Sequence, residues 1–506
     1  MIYLSNFKIM EKIIDKIIQQ SSQSLTTWGL GYGHFSKIIN RFKLKIGAEI
    51  GVAYGGHSES ILKNTNIKKL YGVDPYKHTI GYKDKMNYPQ DVFNELYKYT
   101  INRLSQFNER YQHIREYSKD AWSFIPGQID FIYIDADHSY DGVCKDLCLW
   151  FSKTRDGGII GGHDYMHPDF PGVQKAIDEF FNRFNWKVNY EGDNVWWVQK
   201  QKLNISFFIP AFNCADTIIE SVNSIIDTNF NNGDEIIITN DGSTDNTEAV
   251  LNNLAGKHPF IKIINHKRNK GGAAARNTAI ENAKHEILFC LDSDNILAPN
   301  SIRPLKNFLI SKNADCAVFQ KIYFFMDNIN IIHKKIRYDC EQVTIEYCLC
   351  NNNTPPSSGN YMFTKKSWEK AGGYPEGNWL DTWGFGINQL ISGAKMYTLP
   401  DTYYFHRRGH ESYTIRELKK NNISLTALQI LIPHLQLLSK RSEDYIMSKG
   451  RYDWLEKLNK HPLTLAKKQR NFDKKQIEIF KNNIKIYFPK LYNYYLKIKF
   501  NKKNKK

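Results

Sequence analysis

The chain reads as two α/β domains in series followed by a helical, basic C-terminal extension. Three observations predict this. Short apolar runs that suit buried parallel strands recur in both halves, such as Leu70–Val73 and Ile129–Ile134 in the first and Ile205–Ile209 and Glu286–Cys290 in the second. Glycine turns or acidic clusters follow these runs, as at the carboxyl edge of a doubly wound sheet. The polar junction Gln199-Lys200-Gln201-Lys202 separates the two sets. With 506 residues the length suits roughly three domains, and the boundaries fall at 1–43 for an N-terminal helical segment, 44–200, 203–414 and 415–506.

Met1 to Gln20 repeats isoleucine at helical spacing between charged residues, unlike a signal peptide. The first strand, turn and helix start follow in Lys45 to Ser58, and the next strand, Leu70–Val73, ends at Asp74, placed to bind a ribose hydroxyl. The Gly-x-Gly-x-x-Gly spacing of dinucleotide-binding turns is absent; the pattern is Glu49-x-Gly51-x-x-x-Gly55-Gly56, whose acid would accept from a ligand amino group. His113–Tyr117 ends at Ser118 and Asp120, where an adenine edge would lie. Ile129–Ile134 ends in Asp135-Ala136-Asp137-His138, and Gly158–Gly162 ends in His163-Asp164. On these residues, 44–199 resembles a class I S-adenosylmethionine-dependent methyltransferase of the small type that includes metal-dependent sugar O-methyltransferases.

The resemblance implies a cofactor held by Glu49, Gly51, Gly55, Asp74, Ser118 and Asp120. It also implies a divalent metal at Asp135, His163 and Asp164 that orients and acidifies a sugar hydroxyl. His163 stands where a carboxylate is expected, and imidazole favours softer metals than Mg²⁺. Asp135 and His138 are the catalytic candidates, with Asp137 and His138 open as base or ligand. Asp74 and Asp135 could equally be ordinary strand-end acids on an inert scaffold.

In the second domain a strand ends at Pro210-Ala211-Phe212-Asn213, and Glu235–Thr239 runs into Asn240-Asp241-Gly242-Ser243-Thr244-Asp245, a turn that also caps a helix. Asn269-Lys270-Gly271-Gly272 enters an alanine-rich helix that carries Arg276 and Asn277, a cation where a diphosphate could sit. Leu291-Asp292-Ser293-Asp294-Asn295 sets two carboxylates at i and i+2 after a buried strand. Oxygen ligands of that kind suit Mg²⁺ or Mn²⁺, though an Asp-x-Asp could also be a pair of strand-end caps. Together these motifs resemble glycosyltransferase family 2, of the GT-A fold, over roughly Asn204 to Tyr413, so both domains are expected to be Rossmann-like.

That resemblance implies inverting transfer of a sugar from a nucleotide donor, usually a uridine diphosphate sugar, to an acceptor hydroxyl. Pro210 and Phe212 belong to the donor-binding motif, with Phe212 and Asp241 at the base, Arg276 at the diphosphate, and Asp292 and Asp294 at ribose and metal. The family's general base follows a Gly-Gly-aromatic turn; Gly372-Gly373-Tyr374 supplies the turn and Asp381 the base, while Leu380 departs from the family's Glu-Asp pair. Asp381 could instead cap the helix through Ile387–Leu390. Further on, His406 is a candidate metal ligand and Arg407 a diphosphate clamp, against a plainer reading as surface or acceptor-loop residues.

The chain is 42% hydrophobic and 14% aromatic, enough for sizeable cores, and no run of about twenty apolar residues could span a bilayer. Leu425 to Leu438, broken by Gln429, Pro433, His434 and Gln436, reads as a packed helix. Eight scattered cysteines without zinc spacing suit reduced thiols in a cytoplasmic setting, whether of a bacterium or of a large virus and its host. A net charge of +17 brings no nucleic-acid motif with it. Charge concentrates in Tyr492 to Lys506, either a solvated tail or a peripheral contact with anionic lipid or glycan carriers. The expected partners are a nucleotide-sugar donor and a glycan acceptor; the cofactors are Mn²⁺ or Mg²⁺ and S-adenosylmethionine. The expected function is a bifunctional glycan-modifying enzyme. Its rivals are a glycosyltransferase with an inert first domain, and a carbohydrate- or nucleotide-binding protein without turnover.

Overall fold

The computed structural model describes residues 29–80, 87–350, 355–377, 380–409, 427, 430–447, 482 and 485–486. Met1 to Gln20, His410 to Ser412, the tail from Tyr492 and most of the expected extension 415–506 lie outside the described residues. The chain divides into two compact units, 1–202 and 203–506.

In the first unit β1 (Ile46–Ile50), β2 (Lys69–Val73), β3 (Tyr111–Ile114), β4 (Ile129–Ile134), β5 (Thr154–Gly162), β6 (Asn189–Tyr190) and β7 (Trp196–Gln199) form one sheet in the order β3-β2-β1-β4-β5-β7-β6. The first five are mutually parallel, and β7 runs antiparallel to both β5 and β6. The strand order reverses between β1 and β4, so a crevice opens beyond Ile50 and Ile134, where doubly wound sheets bind ligands. Gly51 makes that crevice by close approach: its φ is +88°, and a β-carbon there would overlap the Asp135 carbonyl oxygen. Helix Gly29–Arg41 covers one face, packing Phe35, Ile38 and Ile39 on Leu70, Phe131 and Ile159.

The second unit contains β8 (Ile205–Ala211), β9 (Glu235–Asn240), β10 (Ile261–Asn265), β11 (Ile287–Cys290), β12 (Ile296–Leu297), β13 (Cys316–Phe325), β14 (Lys334–Arg337), β15 (Met362–Thr364) and β16 (Met396–Arg407). The order is β10-β9-β8-β11-β15-β13-β16-β12, with β14 on β13. Strands β10, β9, β8 and β11 are parallel, and β15 joins antiparallel. Strands β8, β9 and β11 are largely apolar because both faces are covered, and every residue of Glu235–Asn240 is buried, whereas the edge strand β10 is partly exposed. The switch point lies between β8 and β11, so Phe212 and Asp292 emerge at one edge. Of the expected packed helix at 425–438, the described residues Ala427, Ile430 and Leu431 are α-helical and Ile432–Leu437 is a 3₁₀ turn; Ala427, Ile430, Leu431, Ile432 and Leu435 join the core of this unit, so the extension is not separate from it there.

Candidate functional site

At the edge of the second unit three elements converge on one guanidinium. Helix Gly272–Glu281 carries Arg276, the loop after β11 carries Asp292, and helix Asp381–Ile391 opens with Asp381. Arg276 Nη2 donates to Asp292 Oδ1 at 2.7 Å and Nη1 to Asp381 Oδ2 at 2.8 Å. Arg276 and Asp381 are 8% and 6% exposed, so the pairing is shielded from solvent. Burial pushes the Asp381 carboxyl above its ordinary value, against the pull of Arg276. Asp381 is the first residue of its helix, Leu380 takes the cap position, and the carboxylate turns inward to Arg276.

Asp292 is framed by two asparagines that sequence reasoning did not single out for a role. Asn360 Oδ1 accepts from the Asp292 backbone N–H at 2.6 Å, and Asn295 Nδ2 lies 3.3 Å from both Asp292 Oδ2 and His406 Nδ1. Asn295 follows the Asp-x-Asp directly and was visible as such; Asn360 left no local signal. Burial, then the nearby Asp292 charge, pushes Asp294 up to about 7. Burial lowers His406 to about 4, so its ring is neutral, as a metal ligand must be. These residues fit a divalent cation chemically: two carboxylates that raise one another's cost of ionising stand beside a neutral imidazole, and the Arg276 guanidinium contacts Asp292 through one oxygen. They are not drawn into a tight cluster, since among the described residues only Asp135, His138 and Asp164 bring ligand atoms within 4.8 Å of one another.

Two residues expected at the substrate make contacts within the fold. Arg407, expected at the diphosphate, donates to the carbonyls of Asp294 (3.1 Å) and Met326 (3.0 Å), pairs with Glu220 and stacks on Phe325. Its donors are consumed by stitching the Asp-x-Asp turn to β16. Asp241, expected at the base, accepts from Lys270 N, Gly271 N and His266 Nδ1, because a buried carboxylate needs partners and the glycine turn supplies them. Pro210 lies half-buried within β8, and half-buried Phe212 follows it at the crevice edge.

In the first unit the crevice gathers Asp135, His138, His163 and Asp164. His138 Nε2 lies 2.9 Å from Asp164 Oδ2 and 3.3 Å from Asp135 Oδ1, and its ring stacks on Phe170. Burial works against charge on this imidazole, but the two acids outweigh it and raise it to about 11. His163, expected as third ligand, faces the other oxygen of Asp164 at 3.2 Å, and His138 supplies the third clustered atom. The donor set of two carboxylates and imidazole fits a divalent metal of the softer kind provided that the metal displaces the proton the two acids hold on His138.

The expected cofactor contacts are less open. Glu49 is 2% exposed; its Oε1 lies 2.8 Å from His57 Nδ1 and its Oε2 accepts from Ser58, so both oxygens already have a partner within the fold. Asp74, half-buried, accepts from the Val52 and Ala53 N–H groups at 3.0 Å each and from the Tyr76 N–H, holding the turn of Gly51. Gly55 caps helix Gly56–Asn64. Ser118 bonds Asp146 and Trp150, and Asp120 is exposed. The common cause is that buried polar groups seek partners within the fold.

Residues 206–372 match the family described as glycosyl transferase family 2, and residues 48–165 match a methyltransferase domain family. A hyaluronan synthase of Pasteurella multocida is 30% identical over 250 residues, which are 45% of this chain and 25% of that protein. A chondroitin synthase of Pasteurella multocida (strain Pm70) is 39% identical over 191 residues, 36% of this chain and 18% of that protein. The chain thus spans a quarter or less of the length of these relatives. A crystal structure of S. aureus TarS 1-349 in complex with UDP-GlcNAc aligns with a TM-score of 0.40 at 15% identity, covering 57% of this chain and 83% of that one. The second unit of this chain thus carries a glycosyl transferase family 2 domain over residues 206–372, and the first carries a methyltransferase-family domain over residues 48–165 on a Rossmann-like sheet.

Proposed function

We propose that the chain is a bifunctional glycan-modifying enzyme whose second unit transfers a sugar, with inversion, from a nucleotide-sugar donor to an acceptor hydroxyl. The observation that carries this reading is the convergence of Asp292 and Asp381 on Arg276 at the switch point of a family 2 domain. Asp381 takes the proton of the attacking hydroxyl, and its buried setting raises its basicity toward working pH. Asp292, Asp294 and His406 would hold Mn²⁺ or Mg²⁺, which when bound neutralises the departing diphosphate. The resemblance favours a uridine diphosphate sugar, and the hyaluronan and chondroitin synthases among the relatives support a glycan acceptor.

The first unit is read as an S-adenosylmethionine-dependent O-methyltransferase acting on a sugar hydroxyl, with Asp135, Asp164 and the two histidines at its metal and proton-transfer site. A second reading, a glycosyltransferase with an inert first unit, is favoured by the internal pairing of Glu49 and Asp74. The test is nucleotide release across a panel of sugar nucleotides with Mn²⁺ or Mg²⁺, with Asp292→Ala alongside. Selective release that the variant lacks supports the transferase; equal release by both overturns it.

A further inference from the structure

We propose that Arg276 is a positioning residue that sets the place of Asp381 relative to Asp292, rather than a clamp on the donor diphosphate. The inference rests on the transferase reading above. A guanidinium is a rigid planar fork, and both of its terminal nitrogens here are committed, one to each acid, at 2.8 and 2.7 Å. The two acids belong to elements far apart in sequence, 16 and 105 positions from Arg276, so the fork is what ties the donor-side acid to the acceptor-side acid.

The surroundings hold the fork in place. Tyr374, itself buried, lies 5.6 Å below the guanidinium. Asn277, the next residue of the Arg276 helix, accepts from the Tyr374 N–H at 2.8 Å and donates to its carbonyl at 2.9 Å, so the Gly-Gly-Tyr turn and the helix move together. One turn earlier, Gly272 leaves the space the pair needs: a β-carbon there would stand 2.8 Å from Arg276 Nη1 and 3.1 Å from Asp381 Oδ2. The guanidinium is only 8% exposed with both terminal nitrogens on carboxylates, and its Nε–H, buried without a hydrogen-bond partner, does not reach solvent, so a diphosphate would have to displace these pairings to grip it. Its effect is instead on where the base stands, and displacement of a reacting group by about 1 Å can cost on the order of 100-fold in rate.

Arg276→Lys and Gly272→Ala in the full chain test this, with Mn²⁺ present. Donor affinity is measured by calorimetry, turnover by transfer at saturating donor, and folding by thermal melt. Lysine keeps the charge but reaches only one acid. The expected result is turnover lower by about 100-fold for Arg276→Lys and in the same direction for Gly272→Ala, with donor affinity within about twofold of the parent protein. Weakened donor affinity with saturated turnover intact overturns the positioning role, and so does unchanged turnover in both variants. If Arg276→Lys does not fold, Gly272→Ala, which keeps the arginine, decides by the same split. A parent protein that binds no sugar nucleotide overturns the transferase reading and the inference with it, a result distinct from a parent that transfers while its variants lose only affinity.

Discussion

Replacing Asp381 with asparagine removes one negative charge and almost no volume, so it separates proton transfer from packing. The carboxylate lies 2.8 Å from Arg276 Nη1, where two unit charges attract by about 6 kcal/mol at an effective dielectric of about 20. Most of that is not lost, because the asparagine oxygen can still accept from Nη1, Arg276 keeps Asp292, and the cost of burying a charge is recovered. The net destabilisation expected is about 2 kcal/mol, the scale of one hydrogen bond to a charged group, which leaves a typical domain folded. Turnover should fall far more, by about 10²–10⁴-fold, the contribution of a positioned general base, which corresponds to about 3–5 kcal/mol of barrier. The assay is transfer at saturating donor and metal, beside chemical denaturation of both proteins. A folded Asp381→Asn protein with turnover within twofold of the parent would refute the assignment of the base.

Asp292→Ala is expected to abolish Mn²⁺-dependent nucleotide release; electron paramagnetic resonance of bound Mn²⁺ should show the cation lost too, and retained binding would contradict its role as ligand. Asp294, raised to about 7, binds a proton in the folded state that it lacks unfolded between its ordinary value and about 7. Its contribution to stability therefore falls as pH rises through that window, and added Mn²⁺ should reverse the trend because it favours the ionised form; melting scans at pH 4 to 8 with and without Mn²⁺ check this. His138, raised to about 11, contributes stability that is fully present below its unfolded value of about 6.5 and falls progressively until pH has risen through about 11. His138→Ala should flatten that alkaline limb of the melting curve. S-adenosylmethionine is expected to bind the first unit with measurable heat; silence at millimolar ligand would leave it the inert module that the pairing of Glu49 suggests.

The sequence by itself determined the two α/β units and the order of their motifs. Strand periodicity, glycine turns and acids after apolar runs are local signals, and each survives in β1, β4, β8 and β11 as read. It also singled out Asp292, Asp381, Asp135 and Asp164, because acids at the ends of buried parallel strands or after a glycine turn fall where such sheets bind ligands, although capping alone could place them there. What only the tertiary structure decided is what those groups touch. Whether Arg276 faces a diphosphate or two carboxylates depends on how helix Asp381–Ile391 approaches a helix 105 residues away, and nothing in local spacing encodes that distance. Arg407, Asp241, Glu49 and Asp74 look like ligand-binding groups in the sequence and are paired with their own fold in space. A buried polar atom must find a partner, and the nearest partner is chosen by packing across elements rather than by the residues beside it in the chain.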